Sequence, residues 1–172
     1  SDIILQALKT LNDLLNSFGE TLTCWDIVLK ILNSPFEVID NGSQTMISEE
    51  EGQIASVVIQ KHKEMIQMSF EVFKLISDNF LQYLPLDIIK SLIDTLSHFV
   101  SQDRDLNISF SSISQFWLIA DCLRMQEEEA GGDDPDVTAF TNLVKEGKVE
   151  DVINGDYPIS QKIKSLWIYL LV

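Results

Sequence analysis

Histidine and cysteine are almost missing from this chain, with two of each in 172 residues. That scarcity leaves little room for imidazole, thiolate or zinc chemistry. His62 stands among Lys61, Lys63 and Glu64 on what reads as a solvated helix face, and His98 stands beside Phe99 near a helix end. No His or Cys pair has metal-ligand spacing. Cys24 and Cys122 fall inside apolar helical patterns, where a thiol behaves as a small hydrophobe, and both read as reduced structural residues of a cytosolic protein. Basic residues are scarce too: 12 Lys and Arg stand against 27 Asp and Glu, for a net charge of -15. Such a balance opposes binding to nucleic-acid phosphates and supplies no general attraction to anionic lipid. The chain also lacks a phosphate-cradling loop, a dinucleotide fingerprint, a Gly-x-Ser-x-Gly elbow and the His pair of zinc proteases. We therefore read it as no enzyme, with no cofactor and no metal. The acidic run from Glu127 to Asp136 lacks the alternating ligands of an EF-hand loop, and reads as solvated. No secretory leader opens the sequence, and the apolar stretch Leu166–Val172 is far shorter than the roughly 20 residues of a membrane span.

What remains is apolar and helical. Hydrophobic residues make up 45% of the chain, with only 7 Gly and 4 Pro to interrupt them. Ile4, Ala7, Leu8, Leu11, Leu14, Leu15 and Phe18 recur at steps of three and four, which predicts a first helix from about Ile3 to Ser17 that Gly19 ends. Thr23, followed by Asp26, reads as the cap of a second helix that carries Trp25 inward and stops before Pro35. Residues 34–48 show no helical period and read as a flexible loop. Ser48 with Glu51 is a capping box for a long helix reaching Phe80, with Ile54, Val57, Val58, Met65 and Met68 on its apolar face. Pro85 suits the start of a fourth helix, whose buried face takes Ile89, Leu92, Ile93, Leu96, Phe99 and Val100. Residues 126–136 read as a second flexible loop. A short helix from about Val137 to Glu146 and a last one from near Ser160 follow, the latter with Trp167 inward.

Between Asp105 and Leu123 lies a segment apolar around most of its circumference. Asn107 and Ser109 can each offer a side-chain oxygen to helix N–H groups as caps. Ile108, Phe110, Ile113, Phe116, Trp117, Ala120 and Leu123 then follow at helical spacing. A helix of this kind must be covered on more than one side, which makes Trp117 a core anchor beside Trp25 and Trp167. The fold class expected is all-α, either HEAT or armadillo-like stacked helix pairs about 40 to 50 residues apart or a single helical bundle. Its abrupt apolar ends make residues 1–172 read as one helical-repeat segment of a longer protein.

Leu106, Asn107, Ile108 and Ser109 with Ile113, Trp117 and Asp121, preceded by Leu92, Ile93, Asp94 and Thr95, carry a family resemblance. Ser17, Gly19, Leu22, Trp25, Asp26 and Leu32 extend it backwards, Phe80, Leu84 and Pro85 fall in a helix junction, and Leu166 and Trp167 extend it forwards. In this order they resemble the monensin-sensitivity scaffold family of the Golgi, related to the large brefeldin-A-inhibited Arf exchange factors. The resemblance runs from about Leu5 to Leu123 and resumes in the last dozen residues; Arg124 to Ile159 departs from it. It implies a peripheral protein on the cytosolic face of trans-Golgi and endosomal membranes, without the exchange domain of its relatives. Its function there is a scaffold's, in vesicle trafficking. A Dopey-type scaffold, a phospholipid flippase and Arf-like GTPases are the implied partners. The alternative is a regulatory flanking domain of an Arf exchange factor.

Overall fold

The computed structural model describes residues 2–40, 51–130 and 137–172. The described residues form no strand and fold into α1 (Asp2–Phe18), α2 (Trp25–Asp40), α3 (Glu51–Asn79), α4 (Leu86–Ser101), α5 (Leu106–Ala130), α6 (Val137–Lys145), α7 (Val149–Asn154) and α8 (Ile159–Leu171). The expected all-α class is what the chain adopts.

The stripe read in the first helix buries Leu8, Leu11 and Leu15. Gly19 follows α1 because only a bare backbone fits there: a Cβ would lie 2.3 Å from the Phe80 ring. Phe80 in turn packs near Trp25, 6.4 Å between ring centres. Helices α1 and α3 run parallel, with Lys61 bonded to Asp2 at one end and Phe80 against Gly19 at the other. Helix α5 joins the same layer, its start tied to α3 through Gln67 and Asp105. A second layer begins with α2, antiparallel to α3. Helix α4 lies parallel to α2, pairing Thr95 with Asn33 and Phe99 with Phe36. Phe70, Phe73 and Phe99 meet between the layers at 5.1 and 5.3 Å. Beyond α4, Lys90 holds Glu150 of α7, and Tyr169 of α8 donates to Asp94. The described helices thus lie in two layers, parallel within each layer and joined by antiparallel neighbours.

Several expectations need correction. The second helix does not stop before Pro35; it continues to Asp40 with the proline inside it, so residues 34–40 are not a loop. Proline leaves the Ile31 carbonyl without its usual donor, and the Ser34 hydroxyl takes it at 2.6 Å. Helix α3 secures the rest: Ser69 Oγ donates to the Leu32 carbonyl at 2.7 Å, and His62 Nε2 bonds the Pro35 carbonyl at 2.8 Å. His62 is thus buried rather than solvated. Lys61 and Lys63 flank it in sequence, but steps of 100° carry them to either side of the face on which His62, Met65, Ile66 and Ser69 lie.

Helix α5 likewise runs through 126–130 instead of giving way to a loop. Glu, Gln, Met and Ala are strong helix formers, and Arg124 with Glu128 and Lys164 with Glu127 brace the extension. Residues 41–48, including the Ser48 cap, and 131–136 lie outside the described residues. Ile54, Val57 and Val58 are exposed rather than buried, and Val100 is exposed at the end of α4. Cys24 is exposed ahead of α2 and Cys122 half-buried; both are free thiols. Helix α7, too short to show a period, escapes sequence reading altogether.

Candidate docking faces

The turn between α4 and α5 is a polar knot. Neither Asn107 nor Ser109 is the N-terminal cap expected of them; that position belongs to Asp105, whose Oδ1 accepts the Asn107 N–H at 3.0 Å. The donor lies two residues after Asp105, the spacing of a cap, so Asn107 itself sits two residues too far along the helix to serve. Asp105 is buried, and Gln67 Nε2 donates to its Oδ2 at 2.7 Å, with Lys63 Nζ at 3.8 Å. The Gln67 hydrogen bond holds its carboxyl below the usual carboxylate range. Burial opposes that shift, while the Asn107 N–H, the Lys63 charge and the Ile108 N–H reinforce it. Ser109 turns the other way: its hydroxyl donates to the Gln102 carbonyl at 3.1 Å and accepts from Gln102 Nε2 at 3.0 Å. It closes the end of α4 rather than the start of α5. Gln102 Oε1 takes the N–H groups of Arg104 and Asp105, both at 2.9 Å. Thr23, one residue before the position that opens α2, makes no side-chain hydrogen bond among the described residues and is no cap there.

The tryptophans separate. Trp25 is buried at 4% exposure, and Trp167 is half-buried against the core, its indole N–H without a partner among the described residues. Trp117 corrects the expectation: it is 63% exposed. The inward side of α5 is taken by Ile108, Ser112, Gln115, Ile119, Ala120 and Leu123. Leu106, Phe110, Ile113 and Trp117 share the opposite side, at 66%, 70%, 56% and 63% exposure.

A second face lies on the other layer. A groove of about 480 Å³ opens between α2, α4 and α7, floored by Leu29, Ile88 and Ile153 and rimmed by Asp26, Lys30, Asp87 and Glu150. Lys90 spans it, 2.7 Å from Asp94, 2.9 Å from Glu150 and over the Tyr169 ring at 5.2 Å. Burial pulls the Lys90 pKa down, but the hydrogen bonds to both carboxylates outweigh it and hold the ammonium charged. No cluster of three metal-ligating side chains occurs among the described residues. His62 is committed to the α2 carbonyl, and His98 Nδ1 to Asn33 Oδ1 at 3.0 Å. No described helix is long and apolar enough to cross a membrane.

No family model and no solved structure matches the chain. Similar proteins do exist. The yeast Saccharomyces cerevisiae protein MON2 is 44% identical over 99% of the chain. MON2 homologues of Drosophila melanogaster and Caenorhabditis briggsae are 30% and 27% identical over 60% and 73% of it. The yeast likeness runs through Arg124 to Ile159, which sequence reading had set apart from the family. The chain spans 11% of the yeast protein's length and 6% and 7% of the other two. With most of its length aligned to one MON2 protein and parts of it to others, the chain belongs to the MON2 (monensin-sensitivity) family.

Proposed function

We propose that this chain is a non-catalytic docking segment, built of HEAT or armadillo-like stacked helix pairs, of a large MON2-type scaffold. The parent acts in vesicle-mediated protein trafficking as a peripheral protein on the cytosolic face of trans-Golgi and endosomal membranes. The observation that carries this reading is the 44% identity to yeast MON2 over 99% of the chain. The geometry supports it: stacked pairs make a stiff surface on which partners dock by shape and charge, and both histidines are engaged in bonding one helix to the next. A Dopey-type scaffold, a phospholipid flippase and Arf-like GTPases are the proposed partners of the parent. The groove between α2, α4 and α7 is their docking place, its acidic rim suited to Lys and Arg side chains.

Charge reversal at the rim, Asp26→Lys with Asp87→Lys in the full-length parent, is expected to weaken capture of one of these partners while leaving the protein folded. Full capture of all three by the variant contradicts the groove as the site. The second reading, a flanking domain regulating an Arf exchange factor, requires the parent to accelerate GDP release from Arf. A scaffold gives no acceleration.

A further inference from the structure

The outward face of α5 is shaped for one occupant. Leu106, Phe110, Ile113 and Trp117 follow at steps of four, three and four, the spacing of a coiled-coil seam, over a length of about 17 Å at 1.5 Å per residue. From Leu106 to Ala120 there is no charged residue, in a chain whose net charge is -15. This is where a second acidic molecule can approach without like-charge repulsion. Charge returns only at the two ends, with Asp103, Arg104 and the buried Asp105 before the seam and Asp121 and Arg124 after it. Both in-chain pairs are loose: Arg104 Nε lies 3.7 Å from Asp103, and Arg124 Nε lies 3.5 Å from Asp121.

We propose that α5 pairs antiparallel with α5 of a second copy of this chain. A two-fold axis between Phe110 and Ile113 sets Trp117 of each copy on Leu106 of the other, and Phe110 of each on Ile113 of the other. The same axis sets Arg104 of each copy, in the turn before α5, two residues off register from Asp121 of the other, about 3 Å along the helix and within reach of a guanidinium, twice per dimer, as an isologous interface demands. Parallel pairing sets Arg104 against Arg104 and Asp121 against Asp121. The end charges therefore choose the antiparallel arrangement. One flank of the seam, Asn107, Ser111 and Ser114, is uncharged and exposed, so the two helices can approach closely on that side. This pairing is separate from the groove on the other layer and does not depend on what docks there.

Sedimentation equilibrium of the 172-residue chain tests it. The chain is expected to show a monomer–dimer equilibrium, and Phe110→Glu or Trp117→Glu to raise the dissociation constant by about a hundredfold. Arg104→Asp and Asp121→Arg should each weaken the dimer about five- to tenfold, and the two together should restore it to within about twofold. A chain that stays monomeric up to about 1 mM overturns the proposal. So does a dimer indifferent to Trp117→Glu, or a double charge swap as weak as either single change. Should a Glu variant lose its helical circular dichroism, the Arg104 and Asp121 series decides alone, since both side chains are at the rim. Loss of the dimer leaves partner capture at the groove untouched, so failure of the two proposals is told apart.

Discussion

Helices α4 and α5 are neighbours, each rich in apolar residues, yet they spend them in opposite ways. Helix α4 turns Ile89, Leu92, Ile93, Leu96 and Phe99 inward and leaves Asp87, Ser97 and His98 in water. Helix α5 turns Ser112, Gln115 and Ala120 inward among Ile108, Ile119 and Leu123, and sends Leu106, Phe110, Ile113 and Trp117 out. Its small inner residues let α5 lie close to its neighbours, and Ser112 keeps its hydroxyl satisfied on the Ile108 carbonyl at 2.7 Å. Large apolar side chains left outside on a well-packed protein mark an interaction surface. The contrast teaches that the apolar character of α5 serves two purposes, the inner face holding the stack and the outer face meeting something else.

Truncation on the two helices gives the largest contrast. Leu92→Ala, at a fully buried α4 position, is expected to cost about 2–5 kcal/mol in urea unfolding. Trp117→Ala, measured on dilute monomer, should stay within about 0.5 kcal/mol of the parent chain. Equal costs would erase the distinction between the helices. Next comes the junction that sets α5 in place: Asp105→Ala removes the cap and the Gln67 bond together, for about 1–3 kcal/mol. Because the folded pKa of Asp105 lies below its unfolded value, its contribution is complete above the unfolded pKa and is lost as pH falls through the folded one. The gap between wild type and Asp105→Ala should stay flat from about pH 5 to 8 and shrink below about pH 4. A gap unchanged at low pH would remove charge from the account of that cap. Ser109→Ala, which opens the end of α4, should cost about 1 kcal/mol, whereas Asn107→Ala should fall within about 0.5 kcal/mol of neutral. The reverse order would return the capping role to Asn107. Smallest of all, Gln115→Met should lie within about 1 kcal/mol of neutral, since the buried Gln115 Oε1 has no partner among the described residues to lose.

Where a feature depended on local pattern, the sequence was readable. The α1 stripe, the end of α1 before Gly19 and the helix following Pro85 emerge from spacing and from what glycine and proline permit, although the glycine itself is required by the Phe80 ring. Features that depend on a neighbour were not. Pro35 carries the local marks of a helix end; the neighbouring Ser34 hydroxyl satisfies the carbonyl it orphans, and Ser69 and His62 of α3, 37 and 27 residues from their partners in sequence, hold the helix beyond it. His62 is buried for the same reason, against a carbonyl that its own sequence neighbours do not reveal. Trp117 illustrates a different limit: periodicity says that a residue lies on an apolar face, and α5 has two such faces. The turn after α6 is a local feature as well: Gly147 has φ of 76° and the Lys148 N–H reaches the Leu143 carbonyl at 2.9 Å, the closure that glycine commonly gives a helix end. Of the docking faces, the seam on α5 was present in the spacing all along. The groove between α2, α4 and α7 was not, because residues distant in sequence make it.

The most direct measurement is the fluorescence difference between the 172-residue chain and its Trp117→Phe variant, which isolates Trp117 from Trp25 and Trp167, followed from dilute to concentrated solution with iodide as quencher. An outward Trp117 covered by a second copy emits at long wavelength and is quenched when dilute, then shifts to shorter wavelength and escapes quenching as concentration rises. Trp117 emission that is blue and shielded at every concentration would place it in the core and contradict the account. Emission that stays red and quenched throughout would contradict the pairing.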